Sequence, residues 1–189
     1  MKTGKLIVFS APSGSGKTTL VRYLLKHSLP LGFSISATSR QPRGAEQEGE
    51  DYYFMSPEQF QKQILQDAFL EYEEVYQDLF YGTLHTELHR LWEKGKHILF
   101  DLDVKGGLNI KKKYPDNTLS IFVQPPSIDV LKKRLQNRAT DSEQKIEERI
   151  HKAQLEMTFA SQFDHILVND NLEKAKKEAV QLVTNFIES

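Results

Sequence analysis

The stretch from Leu6 to Thr18 constrains this chain more than any other. Leu6-Ile7-Val8-Phe9-Ser10 is an apolar run without alternation, the pattern of a strand covered on both faces. It breaks into Ala11-Pro12-Ser13-Gly14-Ser15-Gly16-Lys17-Thr18, and a helical stripe of Leu20, Val21, Leu24 and Leu25 follows. A buried strand, a glycine-rich turn and an amphipathic helix, in that order, make a phosphate-binding loop. Glycines at 14 and 16 let the backbone turn its N–H groups inward onto an anion. A helix opening near Lys17 adds the partial positive charge of its N-terminus. The spelling GxxxxGK[ST] is met except at its first position, where Ala11 stands for glycine. That departure matters only if the residue needs a positive φ. Residues 11–18, with Thr19, are therefore expected to hold ATP. Lys17 would reach the β- and γ-phosphates, and the Thr18 hydroxyl would ligate Mg²⁺.

Three more apolar runs, 97–101, 119–123 and 165–168, predict further buried strands. Between them lie helical stripes: Ile128, Leu131 and Leu135; then Ile146, Ile150, Ala153 and Met157; then Leu172, Ala175, Ala179, Leu182 and Phe186. Strands alternating with helices imply βαβ units, and so an α/β fold with a parallel sheet flanked by helices. Two segments break the rhythm. Residues 34–90 are richer in polar and aromatic residues and read as an insertion with its own small β-rich element. Residues 138–145 are polar, without apolar anchors, and sit between two helices as a lid would.

Composition excludes several classes of function. With 25 Lys and Arg against 26 Asp and Glu, the net charge is −1, which argues against a nucleic-acid binder. There are no cysteines, so disulfides, thiol catalysis and Cys-ligated zinc are excluded. No run approaches the roughly 18 apolar residues of a membrane span, and Leu6–Phe9 is too short for a signal-peptide core. The expectation is a cytoplasmic protein without membrane or nucleic-acid partners, either a monomer or a homodimer.

The insertion narrows the reaction. It carries Thr38-Ser39-Arg40, Arg43, Glu46, Gly49, Tyr52 and Phe54. Two arginines three apart, followed by a tyrosine, suit a phosphate, because the guanidinium fork matches its oxygens. This run resembles the signature of the guanylate kinases. The match continues through Phe69-Leu70-Glu71, Tyr81-Gly82-Thr83, Asp101-Leu102-Asp103 with Gly106, Pro125-Pro126-Ser127, Arg134, Arg138, Arg149 and Val168-Asn169-Asp170, over about residues 5–187.

The resemblance implies a P-loop NTPase core (1–33, 91–126 and 163–189), an inserted α+β GMP-binding subdomain (34–90) and a helical lid (127–162). It implies transfer of a phosphoryl group from ATP to GMP or dGMP. Ser36, Arg40, Arg43, Tyr52 and Tyr81 would hold the GMP phosphate, and Glu71, Thr83 and Asp103 would read guanine. Lys17, Arg40 and the lid arginines Arg134, Arg138 and Arg149 would be catalytic, and Asn169 would touch adenine. Chemistry supports the guanine assignment separately. Guanine presents N1–H and a 2-amino group as adjacent donors; a carboxylate such as Glu71 accepts both, while adenine would leave it unpaired. A hydroxyl from Thr83 or Ser36 would donate to O6. Asp101, ending an apolar strand, would orient Mg²⁺ and its waters, and Asp103 would point the same way if the strand continued, or cap a helix if it did not.

Four departures from the family pattern stand out: Ala45, Lys105, Ala139 in the lid, and Glu73 with one extra residue before Tyr81. Two rival readings are a phosphopeptide-binding module on the same fold and a small kinase acting on a ribosyl phosphate. The intact Gly16-Lys17-Thr18 speaks against the first, and the presence of Glu71, Thr83 and Asp103 against the second.

Overall fold

The computed structural model describes residues 4–137 and 142–189. In chain order its strands are β1 (Leu6–Ser10), β2 (Leu31–Phe33), β3 (Ala37–Thr38), β4 (Tyr53–Phe54), β5 (Phe69–Tyr76), β6 (Leu79–Leu84), β7 (His97–Leu102), β8 (Thr118–Gln124) and β9 (His165–Val168). Its α-helices are α1 (Lys17–Leu25), α2 (Pro57–Leu65), α3 (His85–Trp92), α4 (Val104–Lys113), α5 (Ile128–Gln136), α6 (Glu143–Met157) and α7 (Leu172–Glu188).

Five strands form a parallel sheet in the order β2-β7-β1-β8-β9. β1 is central, and Leu6, Ile7, Val8 and Phe9 are wholly buried, which is why their run has no polar alternation. Successive residues still face opposite layers. Ile7 and Phe9 pack with Leu20 and Leu24 of α1 and Ala175, Ala179 and Val183 of α7. Leu6 and Val8 pack with Ile98, Phe100, Leu88 and Leu91 of α3, and Ile110 of α4. Each large side chain so buried contributes roughly 1.5–3 kcal/mol. The strand order reverses between β1 and β8, and open α/β sheets bind ligands at the carboxyl ends of the strands beside such a reversal. The glycine-rich loop leaves β1 at that edge.

Within 34–90 lies a second sheet, ordered β4-β3-β6-β5. Its β3–β4 pair is parallel and the others antiparallel. Phe60 of α2 stacks on Phe69 and Phe80, with ring centroids 4.2 and 5.2 Å apart. The start of α2 is fixed by a capping box between Ser56 and Gln59, with Pro57 in the first turn. Helices α5 and α6 pair through Leu131, Leu135, Ile146, Ile150 and Ala153, the stripes the sequence predicts.

The alternative left open for Asp103 is decided here. β7 ends at Leu102, so Asp103 does not continue the strand; it is the N-cap of α4 and its Oδ1 accepts from Gly106 N–H at 2.7 Å. α5 carries Arg134 and ends at Gln136; Arg138 and Ala139 lie outside the described residues.

Candidate active site

The loop after β1 has the shape its glycines require. Gly14 and Gly16 both sit at φ 92°, where an L side chain is strained. Ala11 does not: among the described residues the non-glycine positive φ values belong to Asp67 and Asp78 alone. Alanine at position 11 is therefore conformationally free of cost. A Cβ at Gly14 would fall 2.9 Å from Leu131 Cδ1 and 3.1 Å from Leu135 Cδ2, so α5 rests directly on the loop. At Gly16 it would collide with the amide of Asn169. Buried Asn169 donates from Nδ2 to the Ser15 carbonyl at 2.7 Å, and its backbone carbonyl accepts from Arg134 at 2.9 Å. The amide nitrogen braces the loop from the buried side. No side chain caps the start of α1, which leaves its first N–H groups turned toward the loop.

Lys17, Thr18 and Asp101 form one cluster. Lys17 Nζ lies 2.6 Å from Asp101 Oδ1 and also donates to the Leu102 carbonyl. Thr18 Oγ1 donates to Asp101 Oδ2 at 3.0 Å. Parallel pairing sets this up: Phe9↔Asp101 and Ser10↔Leu102 bring the end of β7 beside the loop. A hydroxyl and a carboxylate side by side are the hard oxygen donors Mg²⁺ takes, and two protein ligands leave places for phosphate oxygens and water.

Two adjoining hollows share Lys17 and Thr18 of this cluster. One, about 300 Å³, lies over the loop and is lined by residues 11–14 and 16–19 with Lys152 and Glu156. The other, about 430 Å³, opens toward the insertion and brings together Ser36, Tyr52, Glu71, Tyr81, Asp101 and Asp103. Lys17, Thr18, Asp103 and Lys152 line both.

At the inner end of the larger hollow, the β5–β6 pairing places Glu71 opposite Thr83. Thr83 is fully buried, and its hydroxyl donates to Glu71 Oε1 at 2.7 Å. Its proton is therefore committed to Glu71 in this structure, while Ser36 lines the hollow. Burial pushes the Glu71 carboxyl up to about 7, against the pull of the Thr83 hydrogen bond, with Asp103 and Glu73 adding repulsion. Gly106 is small for a spatial reason: a Cβ there would meet Glu71 Oε2 at 2.7 Å.

Beside the larger hollow, against its lining residues Tyr52 and Tyr81, Arg40 is held on several sides. It donates to both Glu46 oxygens at 2.6 and 2.8 Å and to the Tyr81 hydroxyl at 3.1 Å, with its guanidinium 4.8 Å from the Tyr52 ring centroid. The Arg40 fork, with the Arg43 N–H at 2.8 Å, holds Glu46 down to about 2. An arriving phosphate would find Arg40 already oriented and would compete with Glu46 for it. Arg43 stands further out: its side chain is exposed, and neither it nor Arg40 is among the residues lining the hollow. From α6, Arg149 reaches Ser13 Oγ at 2.9 Å, while Arg134 of α5 is turned to Asn169.

Sequence reasoning overlooked Lys152, Glu156 and the role of Glu46. The first two were detectable, because Arg149, Lys152 and Glu156 follow at i, i+3 and i+7, one face of a helix. Glu46 gains its role through a turn that folds it back onto Arg40.

Comparison with known proteins agrees with this geometry. Residues 3–186 match the family described as guanylate kinase. The chain is 57% identical to a guanylate kinase of Bacteroides thetaiotaomicron over 98% of its own length and 91% of the relative's. It is 50% identical to that of Porphyromonas gingivalis, covering 97% and 98%. It also resembles the crystal structure of guanylate kinase from Anaplasma phagocytophilum, with a TM-score of 0.76 at 25% identity, covering all of this chain and 89% of the other.

Proposed function

The chain belongs to the guanylate kinase family, and we propose that the two hollows divide its substrates, ATP over the loop and GMP against the insertion. It catalyses ATP-dependent phosphorylation of GMP to GDP. One observation carries the placement of GMP: a buried carboxylate, Glu71, oriented by Thr83 at the closed end of a polar hollow. Guanine is the base whose edge offers that carboxylate two adjacent donors.

The nucleophile is a phosphate oxygen already deprotonated at neutral pH, so no general base is needed and catalysis rests on position and charge. Lys17 neutralises the transferring group from the core side. Thr18 and Asp101 would hold Mg²⁺, which when bound neutralises the β- and γ-phosphates. Arg40, Tyr52 and Tyr81 hold the acceptor phosphate, and Ser36, Glu71 and Asp103 the base. Arg149 with Arg134, and Arg138 beyond the described residues, close from the lid and exclude water. The division into core, insertion and lid, and a cytoplasmic location, belong to the same proposal. Among the described residues no helix is long and apolar enough to cross a membrane.

A coupled ADP-release assay across nucleoside monophosphates tests it. GMP and dGMP are expected to turn over at least about 10²-fold faster than AMP, as a site with buried acceptors rejects a base that cannot donate to them. Equal rates with AMP overturn the placement.

A pH dependence follows from Glu71. Only its carboxylate accepts guanine's donors, and burial keeps it protonated up to about 7. KM for GMP should therefore rise as pH falls below about 7, approaching tenfold per pH unit. The phosphate monoester of GMP titrates near 6 as well. Comparison with Glu71→Gln separates the two: the component near 7 should vanish in the variant, and its persistence would refute the assignment.

A further inference from the structure

Strand geometry puts Glu73 beside the base reader. Residues two apart on a strand share a face, so Glu71 and Glu73 of β5 point the same way. Their cross-strand partners are Thr83 and Tyr81. Glu71, Glu73 and Tyr81 all line the larger hollow, and Glu73 is the one without a task in the reaction so far. It does not float in solvent. Its side chain is 23% exposed, and Oε1 accepts from Lys105 Nζ at 2.9 Å. Lys105 stands in the first turn of α4, two residues after the cap Asp103. Glu73 and Lys105, two departures from the family pattern, are thus partners of one another.

Guanine's recognition edge has three donor hydrogens, one on N1 and two on the 2-amino group. Glu71 can accept N1–H and one amino hydrogen. Asp103 can offer the base one carboxylate oxygen at most, because its Oδ1 is engaged by the helix cap. The 2-amino group therefore has room for a further acceptor along the same wall, where Glu73 stands. We propose that Glu73, held by Lys105, is a specificity-determining residue whose carboxylate accepts the second hydrogen of the guanine 2-amino group. The ion pair gives the acid the right polarity. Burial and the Asp103 carboxyl push Glu73 up and Lys105 pulls it down; a protonated Glu73 would be a donor facing a donor. The proposal rests on guanine being read at Glu71.

The test compares kcat/KM for GMP, dGMP and IMP, which lacks the 2-amino group, in the wild type, Glu73→Ala, Lys105→Gln and Glu71→Gln. ATP binding by titration reports an intact fold in each. Glu73→Ala is expected to lower GMP and dGMP use about tenfold, as for one lost bond to a charged acceptor, and IMP use less than twofold. Lys105→Gln should move the same ratio by about threefold. An equal loss for all three nucleotides, or a loss for GMP with dGMP spared, overturns the proposal, the latter placing Glu73 at the ribose. If Glu71→Gln cripples GMP use while Glu73→Ala leaves the GMP to IMP ratio unchanged, this proposal alone falls. If neither variant alters GMP use, the guanine reading falls with it.

Discussion

Lys17→Ala is expected to lower kcat by about 10³-fold or more while GMP affinity stays within about threefold. Removing one preorganised charge or donor at a reacting centre costs about 10²–10³ in rate, and a cation at a transferring phosphoryl group up to about 10⁵. The structure adds a second penalty. Lys17 lies 2.6 Å from Asp101, so its loss leaves an uncompensated carboxylate where phosphate oxygens must come. In the proposed arrangement GMP is held elsewhere, by residues of the insertion and by Asp103, and needs no contact with the ammonium to dock. The coupled assay gives kcat, and calorimetric titration of GMP gives the affinity. A rate loss below tenfold would reduce Lys17 to the structural partner of Asp101.

The second large effect is at Glu71. Glu71→Gln replaces an acceptor oxygen with an NH₂ that faces guanine's own donors. Two charge-assisted hydrogen bonds, each worth about 1.5–3 kcal/mol, are lost. The expected fall in kcat/KM for GMP is about 10²–10⁴-fold, with ATP binding within twofold in a separate titration. Because Thr83 donates to Oε1 at 2.7 Å, the glutamine has a preferred flip: its oxygen toward Thr83, its amine toward the base. The variant therefore presents the wrong polarity to the ligand and not a mixture. An equal loss for both nucleotides would mean the substitution disturbs the whole cleft.

What the sequence discloses is what lies close along the chain. β1 runs from Leu6 to Ser10 and β9 from His165 to Val168, the bounds their apolar runs predict, and the loop from 11 to 18 is one continuous word. The nucleotide-facing residues of the insertion are legible only through the family pattern, because no local period marks them. Pairings across long separations are not legible at all. Asn169 holds Ser15 across 154 positions, and Thr83 gives its proton to Glu71 through the register of β5 on β6. Arg43 looks like a twin of Arg40 in the sequence. In the fold one is surrounded by two aromatic rings and a carboxylate, and the other stands in water.

The contact between Gly14 and the leucines of α5 bears on how this sequence can vary. Leu131 and Leu135 use the space a side chain at position 14 would occupy. A methyl added there is a wedge under α5, and a trimmed leucine leaves a void above the loop. These three positions form one mechanical joint on which α5 bears, so a tolerated change at one demands a matching change at another. Covariation among them, and not invariance of each alone, is the signature the joint should leave in an alignment of relatives.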